Sequence, residues 1–212
     1  MELRVNDLLK IKTVNDLIVD FRDITWIDKA VKRAPLVVVR RAPLINDMVP
    51  VGIRGDNRSQ RLAAAVSYSN IIEVITPEQL VEGKLWRFNK HISGTEMLKT
   101  LESVDNIFKS YNIIWGPTGS VGFELASGIE TITNASDLDI IVRTPEILPI
   151  CIAKDITKEL LEMPMKIDVQ LETSKGSISL VEYARGNGNV LLRTINGPKL
   201  VKNPWSDEQM EG

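Results

Sequence analysis

The 212-residue sequence predicts an α/β (α+β) protein in two parts: a small β-rich N-terminal domain over residues 1–92, then a mixed sheet flanked by helices over residues 93–212. Three observations predict it. Between Pro35 and Val66 the chain reads as extended runs: LVVVRR, a turn containing Pro and Asn, and the alternating VPVGIRG, with IIEVI soon after. From residue 113 onward, short β-branched runs alternate with helical stretches, the pattern of a mixed α/β layer. Charge divides with the domains. Residues 1–90 hold 15 Lys and Arg against 11 Asp and Glu, a net of +4, whereas residues 91–212 hold 11 against 17, a net of −6.

Each element has its own signal. Thr76-Pro-Glu-Gln79 is a capping box with proline at the first helical position, so a short helix starts there and stops near Gly83. Met97, Leu98, Leu101, Val104, Ile107, Phe108 and Tyr111 recur every three or four residues and predict a helix from Thr95 to Tyr111. Beyond it, IIWG (113–116) reads as a strand and GSVGFELASG as a loop and helix. LDIIVR (138–143) is a strand, Pro145 to Glu162 a helix and KIDVQLE (166–172) a strand. ISLVEYAR is a helix and VLLRT a strand. Cys151 falls in an apolar helical stretch and is expected in the core. Trp86, Trp115 and Trp205 are expected to pack, and His91, at the domain boundary, to be structural.

Composition narrows the chemistry. With 43% hydrophobic and 25% charged residues and a mean hydropathy of −0.03, the chain is neither disordered nor fibrous. Its longest apolar run, Ile147 to Ala153, is broken by Pro149 and far shorter than the ~20 residues of a membrane span. The opening MELRVNDLLK lacks a secretory pattern, so the cytoplasm is expected. A single cysteine and a single histidine disfavour disulfides, a structural zinc site and a serine triad. Nucleic-acid binding is disfavoured by the sequence pI of 5.6 and by the lack of an aromatic-interleaved basic stripe.

Asp137-Leu138-Asp139 leads straight into Ile140, Ile141 and Val142. In a strand, residues two apart share a face, whereas in a helix they diverge by about 200°. The β-branched run therefore favours converging carboxylates. Such carboxylates repel each other, and a divalent cation relieves the repulsion while acting as a Lewis acid toward phosphate. Asp168, in an alternating run of its own, is a candidate third ligand, and an oxygen-only donor set favours Mg²⁺ or Mn²⁺. Such Asp-x-Asp patterns are common, and the pattern alone reads more readily as Asp137 capping a turn and Asp139 at a solvated strand position. Upstream, Trp115-Gly-Pro-Thr-Gly-Ser-Val-Gly-Phe123 joins a strand to a helix. Glycines there admit close backbone approach to a ligand, and helix N-terminal N–H groups attract phosphate. No lysine follows the second glycine, so this is not a P-loop. In isolation it also reads as a plain glycine turn.

Together, a Gly-Ser turn opening a helix, an Asp-x-Asp strand and a later lone Asp resemble the nucleotidyltransferase superfamily. The 16 residues between Ser120 and Asp137 exceed its usual gap, so an extended helix or added turn must fit there. A narrower resemblance is carried by WGPTGSVGFELASG, SDLDIIV, KIDVQLET and VLLRTINGPKL with NPW, and by PLVVVRR and PVGIRGDNRSQRLAA in the first domain. These resemble the malonate decarboxylase holo-acyl-carrier-protein synthases, also called phosphoribosyl-dephospho-CoA transferases, over nearly the whole chain.

The resemblance implies a nucleotidyltransferase-like second domain. It implies transfer of the phosphoribosyl-dephospho-CoA group from 2′-(5″-triphosphoribosyl)-3′-dephospho-CoA to a serine of the apo acyl carrier protein subunit of malonate decarboxylase, with loss of pyrophosphate. Asp137 and Asp139 would hold Mg²⁺, with Mn²⁺ a substitute. Asp168 would complete the metal site or take the serine proton, and Gly119 and Ser120 would hold terminal phosphates. Arg54, Arg58 and Arg61 would contact phosphates, while the surface near Arg40 and Arg41 would meet an acidic carrier; surface ion pairing with the acidic second half is the other reading of these arginines. Lys166, Arg185 and Arg193 are within the same region of sequence and could contact the substrate, but each also reads as an ordinary strand-end or helix-end cation and is left out of the candidate site. A different carrier such as that of citrate lyase, a small-molecule hydroxyl acceptor, or a non-catalytic nucleotide-binding module remain as alternatives.

Overall fold

A computed structural model of the chain describes residues 2–19, 25–44, 46, 48–57, 59–186 and 188–206. It begins with β1 (Leu8–Ile11), β2 (Leu17–Ile18) and α1 (Thr25–Arg33), followed by β3 (Leu36–Val39), β4 (Val49–Arg54), β5 (Arg61–Val66) and β6 (Ile71–Ile75). The six strands form one antiparallel sheet in the order β2-β5-β4-β3-β1-β6. Side-chain alternation decides its two faces. Leu9, Val37, Val39, Val51 and Ile53 form a core with Ile27 and Val31 of α1. The opposite face, carrying Leu8, Val38 and Gly52, looks toward the rest of the molecule.

The chain then forms α2 (Pro77–Glu82), α3 (Glu96–Ser110), β7 (Gly116–Pro117), α4 (Gly119–Ser127), β8 (Leu138–Arg143), α5 (Ile150–Leu161) and β9 (Ile167–Glu172). It ends with β10 (Ser177–Ser179), α6 (Leu180–Ala184), β11 (Val190–Thr194) and β12 (Gly197–Val201). The capping box forms as its spacing requires: Thr76 N–H donates to Gln79 Oε1 at 2.8 Å, and Gln79 N–H to Thr76 Oγ1 at 3.3 Å. The second sheet runs β12-β11-β10-β9-β8-β7, with β8 and β9 parallel because α5 returns the chain between them. Leu138, Ile140 and Val142 on β8 and Val169 and Leu171 on β9 face a core closed by Leu101, Val104 and Phe108 of α3 and Ile156 of α5. Leu80, Trp86 and Ile92, before residue 93 in the chain, pack into that same core. Among the described residues no helix is long and apolar enough to cross a membrane.

Several local expectations are corrected. Residues 113–115 are not strand: Ile113 N–H returns to Phe108 O at 2.9 Å to finish α3, and Trp115 is buried against Trp86 and Phe108. Helix α5 begins only at Ile150, after Pro149, since the proline-bounded stretch from Pro145 cannot build a regular N-terminal turn. Ile178 and Ser179 pair with β9 before α6 begins. Cys151 is exposed, because Ala153, Ile156 and Leu160 supply the inward stripe of α5. Tryptophans 86 and 115 do pack, and Trp205 lies edge-on to Tyr183.

Ion pairs hold the two sheets together. Arg41 grips Glu172 of β9 with both terminal nitrogens, one at 2.8 Å, both side chains being mostly buried. Arg143 of β8 donates through Nη2 to Asp7 Oδ1 and through Nε to Glu78 Oε1, each at 2.6 Å. Ion pairing of the basic first half with the acidic second half is thus realised at Arg41. Replacing Glu172 by Ala is expected to lower unfolding free energy by about 1.5–3 kcal/mol, the range for a hydrogen bond to a charged group. Urea denaturation checks this, and Arg41→Ala added on top should cost little more if the pair acts as a unit.

Candidate active site

The long span between Ser120 and Asp137 is accommodated by α4 and a loop fastened to it. Glu124 is buried in α4, and its carboxylate accepts from Thr131 N–H (2.6 Å), Ile132 N–H (2.7 Å), Asn89 Nδ2 (3.2 Å) and His91 Nδ1 (2.7 Å). Burial alone would raise the Glu124 carboxyl, but these four donors outweigh it and hold the group below its ordinary value. Reciprocally, the hydrogen bond to Glu124 raises the His91 imidazole above its ordinary 6.5. A raised histidine contributes stability that is fully present below the unfolded value and lost as pH rises through the folded value. His91→Gln is therefore expected to flatten the decline of melting temperature as pH rises above the ordinary imidazole value of 6.5. Parallel slopes for variant and wild type would show the pair to be uncoupled from folding.

With the loop fixed, β8 enters the sheet beside β9 in a register that sets Asp139 opposite Asp168. Paired residues of neighbouring parallel strands project from one face, so the two carboxylates stand side by side, away from the helix-covered core. On the other side of Asp139 lies the first turn of α4. Thr118 N–H donates to Asp139 O at 2.8 Å, and Gly119, at φ +60°, sits so close that a Cβ there would lie 2.1 Å from Asp139 Oδ2. Burial, and then the charges of Asp168 and Asp137, push the Asp139 carboxyl above its ordinary value, with Lys166 and Arg61 pulling the other way.

The other candidates take separate places. Asp137 Oδ2 accepts from Lys166 Nζ at 2.7 Å, so Lys166 is committed to a carboxylate. Gln170 donates from Nε2 to Asp168 Oδ1 at 3.2 Å, while its Oε1 accepts from Arg193 Nη1 at 2.6 Å. Arginine has no acceptor, so Arg193 fixes which end of the Gln170 amide faces Asp168. Arg185 ends α6 on the exposed surface. Ser120 follows Gly119 in the first turn of α4, and its carbonyl accepts from Thr131 Oγ1 at 2.9 Å.

Among the described residues no three His, Cys, Asp or Glu side chains form a closed metal cage. The donors nonetheless suit a hard cation. Mg²⁺ is commonly held by one or two carboxylates plus substrate phosphates, and Asp139 with Asp168 is an oxygen-only, mutually repelling pair of that kind.

Next to this pair, on the other side of the Gly119 turn that touches Asp139, a cleft of about 460 Å³ runs between the open face of the first sheet and helices α2 and α4. Arg40, Arg54, Arg61, Thr118, Gly119 and Phe123 are among its walls. Arg54 and Arg61 lie directly opposite on β4 and β5, which puts two cations side by side on the cleft wall. The Arg54 guanidinium is 5.6 Å from the centre of the Phe123 ring. Arg58 lies outside the described residues. Glu124 and Phe123 escaped sequence reasoning; the one available hint was a glutamate set among apolar residues in GFELASG.

The chain is similar to known proteins along almost its full length. The model of the phosphoribosyl-dephospho-CoA transferase MdcG N-terminal domain matches residues 4–77, and that of the C-terminal domain matches residues 84–204. Relatives named phosphoribosyl-dephospho-CoA transferase include one from Pseudomonas syringae pv. tomato, 40% identical over 169 residues that cover 80% of this chain and 78% of the relative. One from Pseudomonas putida is 38% identical over 182 residues, covering 85% of each chain. Another, from Klebsiella pneumoniae, is 33% identical over 184 residues, covering 87% of this chain and 88% of its own. No solved structure matches significantly.

Proposed function

The chain belongs to the phosphoribosyl-dephospho-CoA transferase family and is a transferase enzyme. From that membership we propose that it moves the phosphoribosyl-dephospho-CoA group from 2′-(5″-triphosphoribosyl)-3′-dephospho-CoA onto a serine of the apo acyl carrier protein of malonate decarboxylase. The observation that carries this reading is the Asp139–Asp168 pair standing in register beside the Gly119 turn, which is also a wall of an arginine-lined cleft.

The serine Oγ attacks the α-phosphorus, the α–β phosphoanhydride bond breaks, pyrophosphate departs and a phosphodiester remains. Arg54 and Arg61, with the N–H groups that open α4 at Gly119 and Ser120, hold the phosphates and offset charge as it shifts to the leaving group. Asp139 and Asp168 would hold Mg²⁺ or Mn²⁺, joined by Asp137 on releasing Lys166, and the cation would neutralise phosphate charge. The serine proton passes to Asp168 or to bulk water. Gln170 and Arg193 keep one Asp168 oxygen occupied, which orients the other.

The test is a mass measurement. Purified protein, apo-carrier, the triphosphoribosyl precursor and Mg²⁺ should yield carrier heavier by the prosthetic group, with release of pyrophosphate. An unmodified malonate decarboxylase carrier beside a modified citrate lyase carrier would reassign the acceptor. No modification of either at saturating substrate would overturn the reading.

A further inference from the structure

The first sheet presents a surface to the cleft that phosphate binding alone does not require. Register aligns Leu8 with Val38, Val38 with Gly52, and Gly52 with Ala63, so these four residues form one row across β1, β3, β4 and β5. All four line the cleft. The middle of the row is nearly bare of side chain, because glycine and alanine stand next to each other on central strands. A Cβ at Gly52 would meet Val38 Cγ1 at 3.2 Å and the Arg40 stem at 3.5 Å (Cδ) and 3.6 Å (Cγ), so Val38 and the aliphatic part of Arg40 border the gap. Strand interiors disfavour glycine, and one that faces a cleft marks where another group comes close. Across the gap, Phe123 and Pro77 supply apolar surface from α4 and α2. Arg54 and Arg61 lie along the side of the row.

A flat apolar platform beside cations fits a planar ring that carries phosphates, and fits a flexible chain less well. We infer that the platform of Gly52 and Ala63 is the seat of the adenine ring of the dephospho-CoA portion, its face against the β-sheet and its phosphates toward Arg54 and Arg61. This rests on the transferase reading above for the identity of the ligand. The slot makes the first domain a reader of the nucleoside, while the second domain supplies the reacting end. Gly52 and Ala63 are specificity-determining positions in this arrangement.

Calorimetric titration of the full chain with AMP, 4′-phosphopantetheine and inorganic pyrophosphate tests it. Ala63 is exposed on β5, so Ala63→Leu fills the slot from a position where folding tolerates bulk; Gly52→Ala fills it less and serves as a second variant. Each variant is first shown to keep the wild-type circular dichroism and melting temperature. The expected result is that AMP binding weakens at least tenfold in Ala63→Leu and less in Gly52→Ala, with pyrophosphate and phosphopantetheine changed less than twofold. Equal AMP binding in wild type and Ala63→Leu would overturn the proposal. So would loss confined to phosphopantetheine, which would give the slot to the flexible arm, or failure of the wild type to bind AMP at all. The transferase reading is judged separately by carrier mass: AMP binding that responds to Ala63→Leu in a protein that modifies no carrier would keep the slot and discard the reaction.

Discussion

Asp139→Asn is expected to slow group transfer by about three orders of magnitude or more while the chain stays folded and gains stability. The two halves of this expectation have one cause. Asp139 is half-buried, opposite Asp168 in the register of β8 and β9, with Asp137 two residues away, and its charged form is disfavoured by burial and by those neighbouring charges. Removing its charge relieves repulsion that the folded state carries and the unfolded chain does not. A carboxyl raised on folding costs stability above its unfolded value of 3.8, so the gain should be present at neutral pH and fade as pH falls into the carboxylate range. Transfer, in contrast, loses the group best placed to hold a cation against the substrate phosphates. Thermal melting from about pH 3 to 7, with initial rates of carrier modification, checks both parts. Mg²⁺ with a phosphate ligand should raise the melting temperature of the wild type and not of the variant, since a ligand stabilises only the state that binds it. A folded variant with rates near wild type would remove Asp139 from the mechanism. A fall of several degrees in melting temperature would make its role structural.

The placement of the two carboxylates is legible in part from the sequence. The strand signal of LDIIVR and the alternation of KIDVQLE are local, and they place Asp139 and Asp168 on strands independently of any pairing. The capping box of α2 and the apolar stripe of α3 are local too, and both form within a residue of where the pattern puts them. Pairing is a different matter. Nothing within either strand dictates that residues 139 and 168 stand opposite each other; that register is settled by the α5 crossover and by core packing from Leu138 through Leu171. The same holds for the Leu8 to Ala63 row, which gathers residues from four strands spread over more than fifty positions of chain. Non-local packing also explains the misreadings. Residues 113–115 carry strand-like composition, yet the end of α3 and the burial of Trp115 determine their path. Cys151 belongs to an apolar run, but the helix phase set by Ala153, Ile156 and Leu160 turns it outward. Glu124 is the converse case: a charge in an apolar helix becomes the anchor of the loop that delivers β8, because its four donors arrive from chain segments on both sides of α4.

Gly119→Ala should separate catalysis from stability more sharply than its size suggests. Two costs follow from the added methyl. The backbone at φ +60° is left-handed, which charges an L-residue about 1–2 kcal/mol. The methyl itself would sit 2.1 Å from Asp139 Oδ2 and 3.0 Å from its Cγ, far inside contact distance. The obstructing atoms are the end of a short side chain, so the clash is relieved by swinging the Asp139 carboxylate away from α4, at little further expense to folding. The same swing moves the carboxylate relative to Asp168 and to the α4 N-terminus, where the proposed reaction seats the phosphates. A displacement of about 1 Å is enough to cost roughly 100-fold in rate. The variant is therefore expected to unfold about 1–2 kcal/mol more easily in urea and to transfer at least 100-fold more slowly. Gly122→Ala is the control that distinguishes this from general damage to α4. Its Cβ would meet the Pro117 carbonyl oxygen at 2.4 Å, a backbone atom that cannot rotate aside, so there the loss should fall chiefly on stability. If both variants instead lose activity only in proportion to their loss of folded protein, Gly119 is a structural glycine, and the close approach to Asp139 is a packing detail without catalytic consequence.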